Sequence, residues 1–186
     1  MFKKILLGLA ALIAVFLIVV AMQPDEFRVS RSATVAASPD RVFAQVNDFH
    51  NWQAWSPWAK LDPNAKATFE GPPAGEGAVF IWAGNNEVGE GRMTVMQSRP
   101  SESVLIKLDF VKPMEGTSDV EFTFKPQNND TVVTWTMSGQ NNFIGKAICL
   151  IMNQDKMIGG YFEKGLANLK SFVESARKIL SRRQVV

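Results

Sequence analysis

Between Asp155 and Leu180 the residues Ile158, Phe162, Leu166, Leu169, Val173, Ala176 and Leu180 recur three or four apart, while Lys156, Glu163, Lys164, Asn168, Lys170, Glu174 and Lys178 take the other side. That period predicts a long amphipathic helix with one face that must be buried. Most of the preceding chain alternates with a period of two, so the partner for that face is a sheet that curves around it. Three glycines interrupt the pattern, each costing about 1 kcal/mol relative to alanine inside a helix. Gly159 and Gly160 read as a joint where the helix turns across the sheet. Gly165 reads as the point where its apolar face withdraws and leaves room for a ligand.

The strands are explicit. Phe27 to Ala37 alternates Phe27, Val29, Ala33 and Val35 with Arg28, Ser30, Ser32 and Thr34. Ser38 and Pro39 then start a short helix, serine as cap and proline at the first position, with Val42, Phe43 and Val46 as its buried side. Short strands are expected at 67–70 and 78–83, and a longer one at 87–97 after a turn at Gly84, Asn85 and Asn86. Gly89 and Gly91 on the inward face of that strand imply a bulge or sharp curvature. In the last three strands Val104, Ile106, Leu108 and Phe110, then Val120, Phe122 and Phe124, then Val133, Trp135 and Met137, form one dry face. A short apolar helix at 143–153 precedes the long one.

The amino terminus is of another kind. Lys3 and Lys4 precede an uninterrupted apolar run from Ile5 to Met22, which as a helix measures roughly 27 Å, close to the thickness of a bilayer core. Residues 1–24 therefore read as a transmembrane anchor, with a cleaved signal peptide ending near Val19, Val20 and Ala21 as the alternative. The lysines place the amino terminus in the cytoplasm and residues 25–186 on the periplasmic or extracellular side of an inner membrane, or secreted if the leader is cut. Without Lys3 and Lys4 the remaining 18 basic residues equal the 18 acids, and a neutral domain lacks the basic footprint of a nucleic-acid binder. The one basic cluster, Arg177, Lys178, Arg182 and Arg183, suits a solvated helix end, with phospholipid contact as the alternative. Cys149 alone can make no internal disulfide, and the sequence leaves the oligomeric state open.

Chemistry-bearing constellations are sparse. His50 and Cys149 are single, so a histidine or cysteine metal cluster is excluded on count, and there is no phosphate loop, dinucleotide fingerprint or nucleophile elbow. No cofactor is implied. Glu87, in parity with Gly89 and Met93, is the one weak candidate acid or base, against its plainer reading as an exposed acid beside a turn. The apolar side is richer. Trp52, Trp55 and Trp58 recur every three residues and make a wall of indoles that can cap a core or line a cavity. With Phe80, Trp82, Met93, Leu108, Phe110, Phe122, Phe124, Trp135 and Met137 from the sheet, and Ile158, Phe162, Gly165 and Leu169 from the long helix, they are the candidate ligand-binding residues.

The order of elements, with Ser-Pro-Asp-Arg-Val-Phe at Ser38 to Phe43, the Trp52, Trp55, Ser56, Pro57, Trp58 group, Val-Gly-Glu-Gly-Arg-Met at Val88 to Met93 and Phe-Glu-Lys-Gly-Leu-Ala-Asn-Leu-Lys at Phe162 to Lys170, resembles the bacterial SRPBCC or polyketide cyclase-like proteins. These share the helix-grip fold of the START lipid-transfer domains and the birch pollen allergen, and the resemblance covers Glu26 to Ala176. It implies an α+β fold, a curved antiparallel sheet of about seven strands around a long carboxy-terminal helix, with the hydrophobic amino-terminal helix as an appendage. Members of that fold include lipid carriers, receptors, cyclases, hydratases and co-chaperones, so fold alone selects no activity. The expectation is a membrane-tethered or exported binding protein for a lipid or other apolar small molecule, more a carrier than an enzyme. The alternatives are an enzyme of the cyclase or hydratase type and a chaperone-like module.

Overall fold

The computed structural model describes residues 2–151 and 153–183, without the side chains of Cys149, Ile151, Gln154 and residues 177–183. The terminal basic cluster and Leu180 therefore lie outside the described side chains. The elements run α1 (Phe2–Ala21), β1 (Glu26–Val35), α2 (Pro39–Asn47), a 3₁₀ turn (Phe49–Asn51), α3 (Trp52–Trp55), β2 (Lys66–Glu70), β3 (Val79–Ala83), β4 (Glu90–Arg99), β5 (Ser103–Lys112), β6 (Gly116–Gln127), β7 (Asp130–Gln140), α4 (Phe143–Ile151) and α5 (Gln154–Arg183). All seven strands form one antiparallel sheet in the order β1-β7-β6-β5-β4-β3-β2. The expected α+β helix-grip architecture is what the chain adopts.

The dry face is the one the alternation marks. Val29, Val35, Val95, Val104, Ile106, Val120, Phe122, Phe124, Val133 and Trp135 are buried on it, and α5 closes over it with Phe162, Leu166, Leu169 and Val173. The strand predicted from Glu87 begins at Glu90, with Glu87 in the preceding loop. Its register shifts at Glu90/Gly91 and again at Val95/Gln97, the bulging that inward glycines imply. Ser38 occupies the cap position of α2 in extended backbone but makes no side-chain cap bond, and Pro39 stands at the first turn.

Gly159 and Gly160 are not a joint. They lie inside an unbroken α5, and the break from α4 comes before Gln154. What Gly159 provides is clearance, since a Cβ there would collide with the guanidinium of Arg31, whereas one at Gly160 would meet nothing within 4 Å. Arg31 shares the inward parity of Val29 and is the one charge on the apolar side of β1. It crosses over Gly159 and donates from Nε to Glu163 (2.7 Å), from Nη1 to Asp155 Oδ1 (3.0 Å) and the Ser30 carbonyl (2.9 Å), and from Nη2 to Asp155 Oδ2 (2.8 Å) and the Asp155 carbonyl (3.2 Å). Each guanidinium nitrogen has an oxygen partner, so the cation is fully satisfied while clamping the start of α5 to the sheet. Farther along, Lys170 donates to the Thr34 carbonyl (2.8 Å), Glu174 accepts from the Ala36 amide (2.8 Å) and Asn168 donates to the Trp55 carbonyl (3.1 Å).

Two outcomes are expected. Gly160→Ala should raise stability by about 1 kcal/mol through helix propensity alone, while Gly159→Ala should lower the melting temperature by displacing Arg31; thermal unfolding of both variants checks the contrast. Hydrogen bonding from Arg31 lowers the pKa of the Asp155 carboxyl below its ordinary value of 3.8. Its stabilisation is therefore complete above that value and is lost as the pH falls through the lowered one. The stability gap between the wild type and Asp155→Asn should be constant near neutrality and close only below pH 3.8, as unfolding curves at a series of pH values will show.

Candidate functional site

The grip is divided lengthwise. Toward the β6–β7 turn it is solid: Val42, Phe43 and Val46 of α2 meet Phe124, Val104, Val133, Leu166, Leu169 and Val173, and Phe43 packs edge-on against Phe124 with ring centroids 5.7 Å apart. Toward the other end, where β1 begins and β7 ends, a cavity of about 350 Å³ lies between the sheet and the first half of α5. Its size and lining are those of a small-molecule site. The floor and walls are Trp52, Phe80, Trp82, Met93, Leu108, Phe110, Val120, Trp135, Met137, Ile158 and Phe162, with Trp58 beside them. The rim is made of Asp62, Pro63 and Ala65 before β2, Glu87, Val88 and Gly89 before β4, Lys112 at the end of β5 and Pro113 after it.

Most of the residues singled out from the sequence thus surround one space, and five do not. Trp55 and Phe122 are wholly inside the aromatic core, and Phe124 and Leu169 belong to the solid half. Gly165 is the instructive case. A Cβ on it would come within 2.7 Å of Trp135 Cζ3 and 3.0 Å of Pro57 Cδ. The glycine brings α5 closer to its neighbours at that point and does not hold it away. The indole wall is likewise split, Trp52 and Trp58 facing the cavity and Trp55 the core.

The ring network explains the rigidity of this wall. Trp135 stacks on Phe162 (4.3 Å, 10°) and is met edge-on by Trp52, Trp55 and Trp58 at 6.2, 5.8 and 5.8 Å. Trp52 and Trp55 donate their indole N–H groups to the Val46 and Gln45 carbonyls (2.9 and 3.2 Å), and Trp82 donates to that of Val88 (2.9 Å). Among the described residues, Trp135 Nε1 is the buried side-chain polar atom left without a hydrogen bond. Gly91 lets the Trp82 ring lie flat on β4, where a Cβ would overlap it.

Two charged groups of the rim are engaged by neighbouring protein groups. Asp62 accepts from the Asn64 and Asn85 amides (2.9 and 2.6 Å) and so ties the loop before β2 to the turn after β3. Lys112 pairs with Glu90 at 2.8 Å. Glu87 is exposed at the mouth, in the turn before β4, so its plainer reading fits the geometry. His50 lies elsewhere, hydrogen-bonded to Asp48 (2.7 Å) and stacked on Phe69. No group of three His, Cys, Asp or Glu side chains able to hold a metal occurs among the described residues. What the sequence did not reveal is the rim itself, together with Gln53, Ser56, Ala59, Lys66 and Ala67. Apart from Gln53 in the single turn of α3, these sit in loops, in irregular turns, at the end of a strand or on a short, wholly exposed strand, where no period marks an inward side.

Comparison places this geometry among known proteins. Solved structures of the same fold include a protein of unknown function, SA2116, from Staphylococcus aureus (11% identity, TM-score 0.62, covering 82% of this chain and 96% of that one). Another is CV1439 from Chromobacterium violaceum (15% identity, TM-score 0.57, 82% and 99%). A third is the di-domain ARO/CYC StfQ of the steffimycin biosynthetic pathway (12% identity, TM-score 0.60, 82% and 52%), of which this chain spans about half. No curated protein sequence matches. The family profile described as polyketide cyclase / dehydrase and lipid transport matches residues 26–174, nearly all of the chain beyond α1, in agreement with the SRPBCC resemblance. With its seven-stranded grip and hollow half, the chain belongs to the polyketide cyclase / dehydrase and lipid transport family.

Proposed function

We propose that the domain binds a lipid or similar elongated apolar molecule in the hollow half of the grip, and that α1 tethers it to a membrane with residues 25–186 on the side opposite Lys3 and Lys4. The observation that carries the reading is the cavity's composition. Its interior is aromatic and aliphatic, and Asp62 and Lys112 at its rim already have partners. Affinity would come from apolar burial, about 0.8 kcal/mol for each methylene withdrawn from water. A polar end of the ligand would stay at the mouth, where Gln53, Ser56 and Lys66 stand. The family's description names lipid transport, which supports this reading. For the tether, α1 is long and apolar enough to cross a bilayer and is exposed along nearly its whole length.

A second reading, turnover of a polyketide-like substrate in the same cavity, draws on the cyclases and dehydrases in the family's description and on the likeness to StfQ. Its reacting groups would have to come from the rim, where Asp62 and Glu87 are the carboxylates. Native mass spectrometry and lipid extraction of the chain purified from its own host separate the two: a co-purifying intact lipid supports the carrier, and an altered product released from an added polyketide supports the enzyme. A clean apo mass, with no uptake of a fluorescent fatty acid, would count against both.

Placement of the ligand is tested by contrast. Leu108→Trp should fill the cavity and weaken binding of the fluorescent fatty acid at least about tenfold, the equivalent of 1.4 kcal/mol, with little change in melting temperature. Leu169→Ala, in the solid half, should cost about 2–5 kcal/mol of stability while leaving the affinity of the folded protein intact.

A further inference from the structure

The cavity and the amino-terminal helix lie at the same end of the molecule. Glu26, which opens β1 straight after α1, pairs with Gln140 at the close of β7, and the same end of the sheet carries Ser118 opposite Gly139, Phe110 opposite Gly116 and Lys112 opposite Glu90. The rim residues Glu87, Lys112 and Pro113 are at that end too. α4 packs on α1, in which Val20 is buried. Lys146 of α4, itself buried, is ion-paired with Asp25, and the Asn141 amide donates to the Asp25 carbonyl (2.6 Å).

α4 also carries an uncovered apolar face. Phe143, Ile144 and Leu150 fall on one side of the helix and are 50%, 58% and 39% exposed. Val111 and Met114, flanking the β5–β6 turn at the same end, are about half exposed. A helix that packs on α1 and pairs with Asp25 lies near the end of a spanning segment that stops at Met22, three residues before that aspartate. That depth is the headgroup boundary of a bilayer, the place where short amphipathic helices lie.

From this juxtaposition we propose that α4, together with the β5–β6 turn, is a second membrane-contacting element. It lies in the surface of the bilayer that α1 crosses and holds the cavity mouth against lipid. The proposal rests on the reading of α1 as an anchor and deepens that of the cavity, because a ligand would then pass between bilayer and cavity without entering bulk water. The occupant of the apolar face is the lipid surface itself; a second copy of the chain is the competing occupant.

The test uses the full chain in phosphatidylcholine–phosphatidylglycerol vesicles, with a spin label at Leu12→Cys, Ile144→Cys or Asn128→Cys in a Cys149→Ser background. Position 12 reports the depth of α1, and position 128 lies in the β6–β7 turn at the far end. At 144 the label should be several-fold more accessible to oxygen than to an aqueous nickel chelate, with the opposite ratio at 128. A label at 144 as open to the chelate as that at 128 overturns the proposal, and so does one shielded from both and broadened by a neighbouring label, which reports self-association. If 12 is also wet, the anchor reading has failed with it; if 12 is deep and 144 wet, only the role of α4 has failed. A second readout is Phe143→Glu with Ile144→Glu, which should keep affinity for a fluorescent fatty acid in detergent yet slow its transfer between vesicles several-fold. Unchanged transfer overturns the proposal, whereas absent binding in the wild type overturns the cavity reading instead.

Discussion

The contact on which the architecture turns is the stack of Trp135 on Phe162, with Gly165 beside it. Trp135 projects from the middle of β7, and the missing side chain at Gly165 lets α5 descend until the indole edge nearly touches its backbone. At that point sheet and helix are as close as their atoms permit. On one side of it Leu166, Leu169 and Val173 interlock with α2 and the far ends of the strands; on the other Ile158 and Phe162 look into open space. A void is costly in a protein interior unless its surroundings are held apart. Here the aromatic network and the Arg31 clamp do the holding, since each end of the hollow half is pinned by groups that cannot collapse inward.

Polar fixtures and apolar walls divide the labour. The guanidinium of Arg31 has all its bonds within β1 and the first turns of α5, and Asp62 spends its carboxylate on two loop amides. These groups set the shape of the space without lending it charge. An interior of this kind offers shape and length, with polarity reserved for the mouth.

Much of this was legible beforehand. Two-residue alternation is a direct consequence of a sheet with one dry face, so the strands and the inward residues of β5, β6 and β7 could be read from Val104 onward. The three-to-four spacing of α5 was equally plain. Glycine misled, because an absent side chain is compatible with a void or with close approach, and only the neighbour decides which. At Gly159 the neighbour is Arg31, an inward charge on an otherwise apolar strand face that was itself a sign of a cross-element bond. At Gly165 it is Trp135. The cavity rim was hidden for another reason: loops before β2 and β4 meet only through tertiary bonds such as those of Asp62, and such bonds leave no trace in spacing.

The lengthwise division of the grip has a consequence for how such a chain can change over time. In the solid half each side chain is bound to several others by volume, so replacements there must be matched. In the hollow half a replacement alters the shape of the space and little else. Trp135 and Phe162 apart, stability and the shape of the cavity are therefore written largely in separate residues, and one can drift while the other is preserved. That separation is compatible with a single architecture persisting among proteins that share only 10–15% identity with this one.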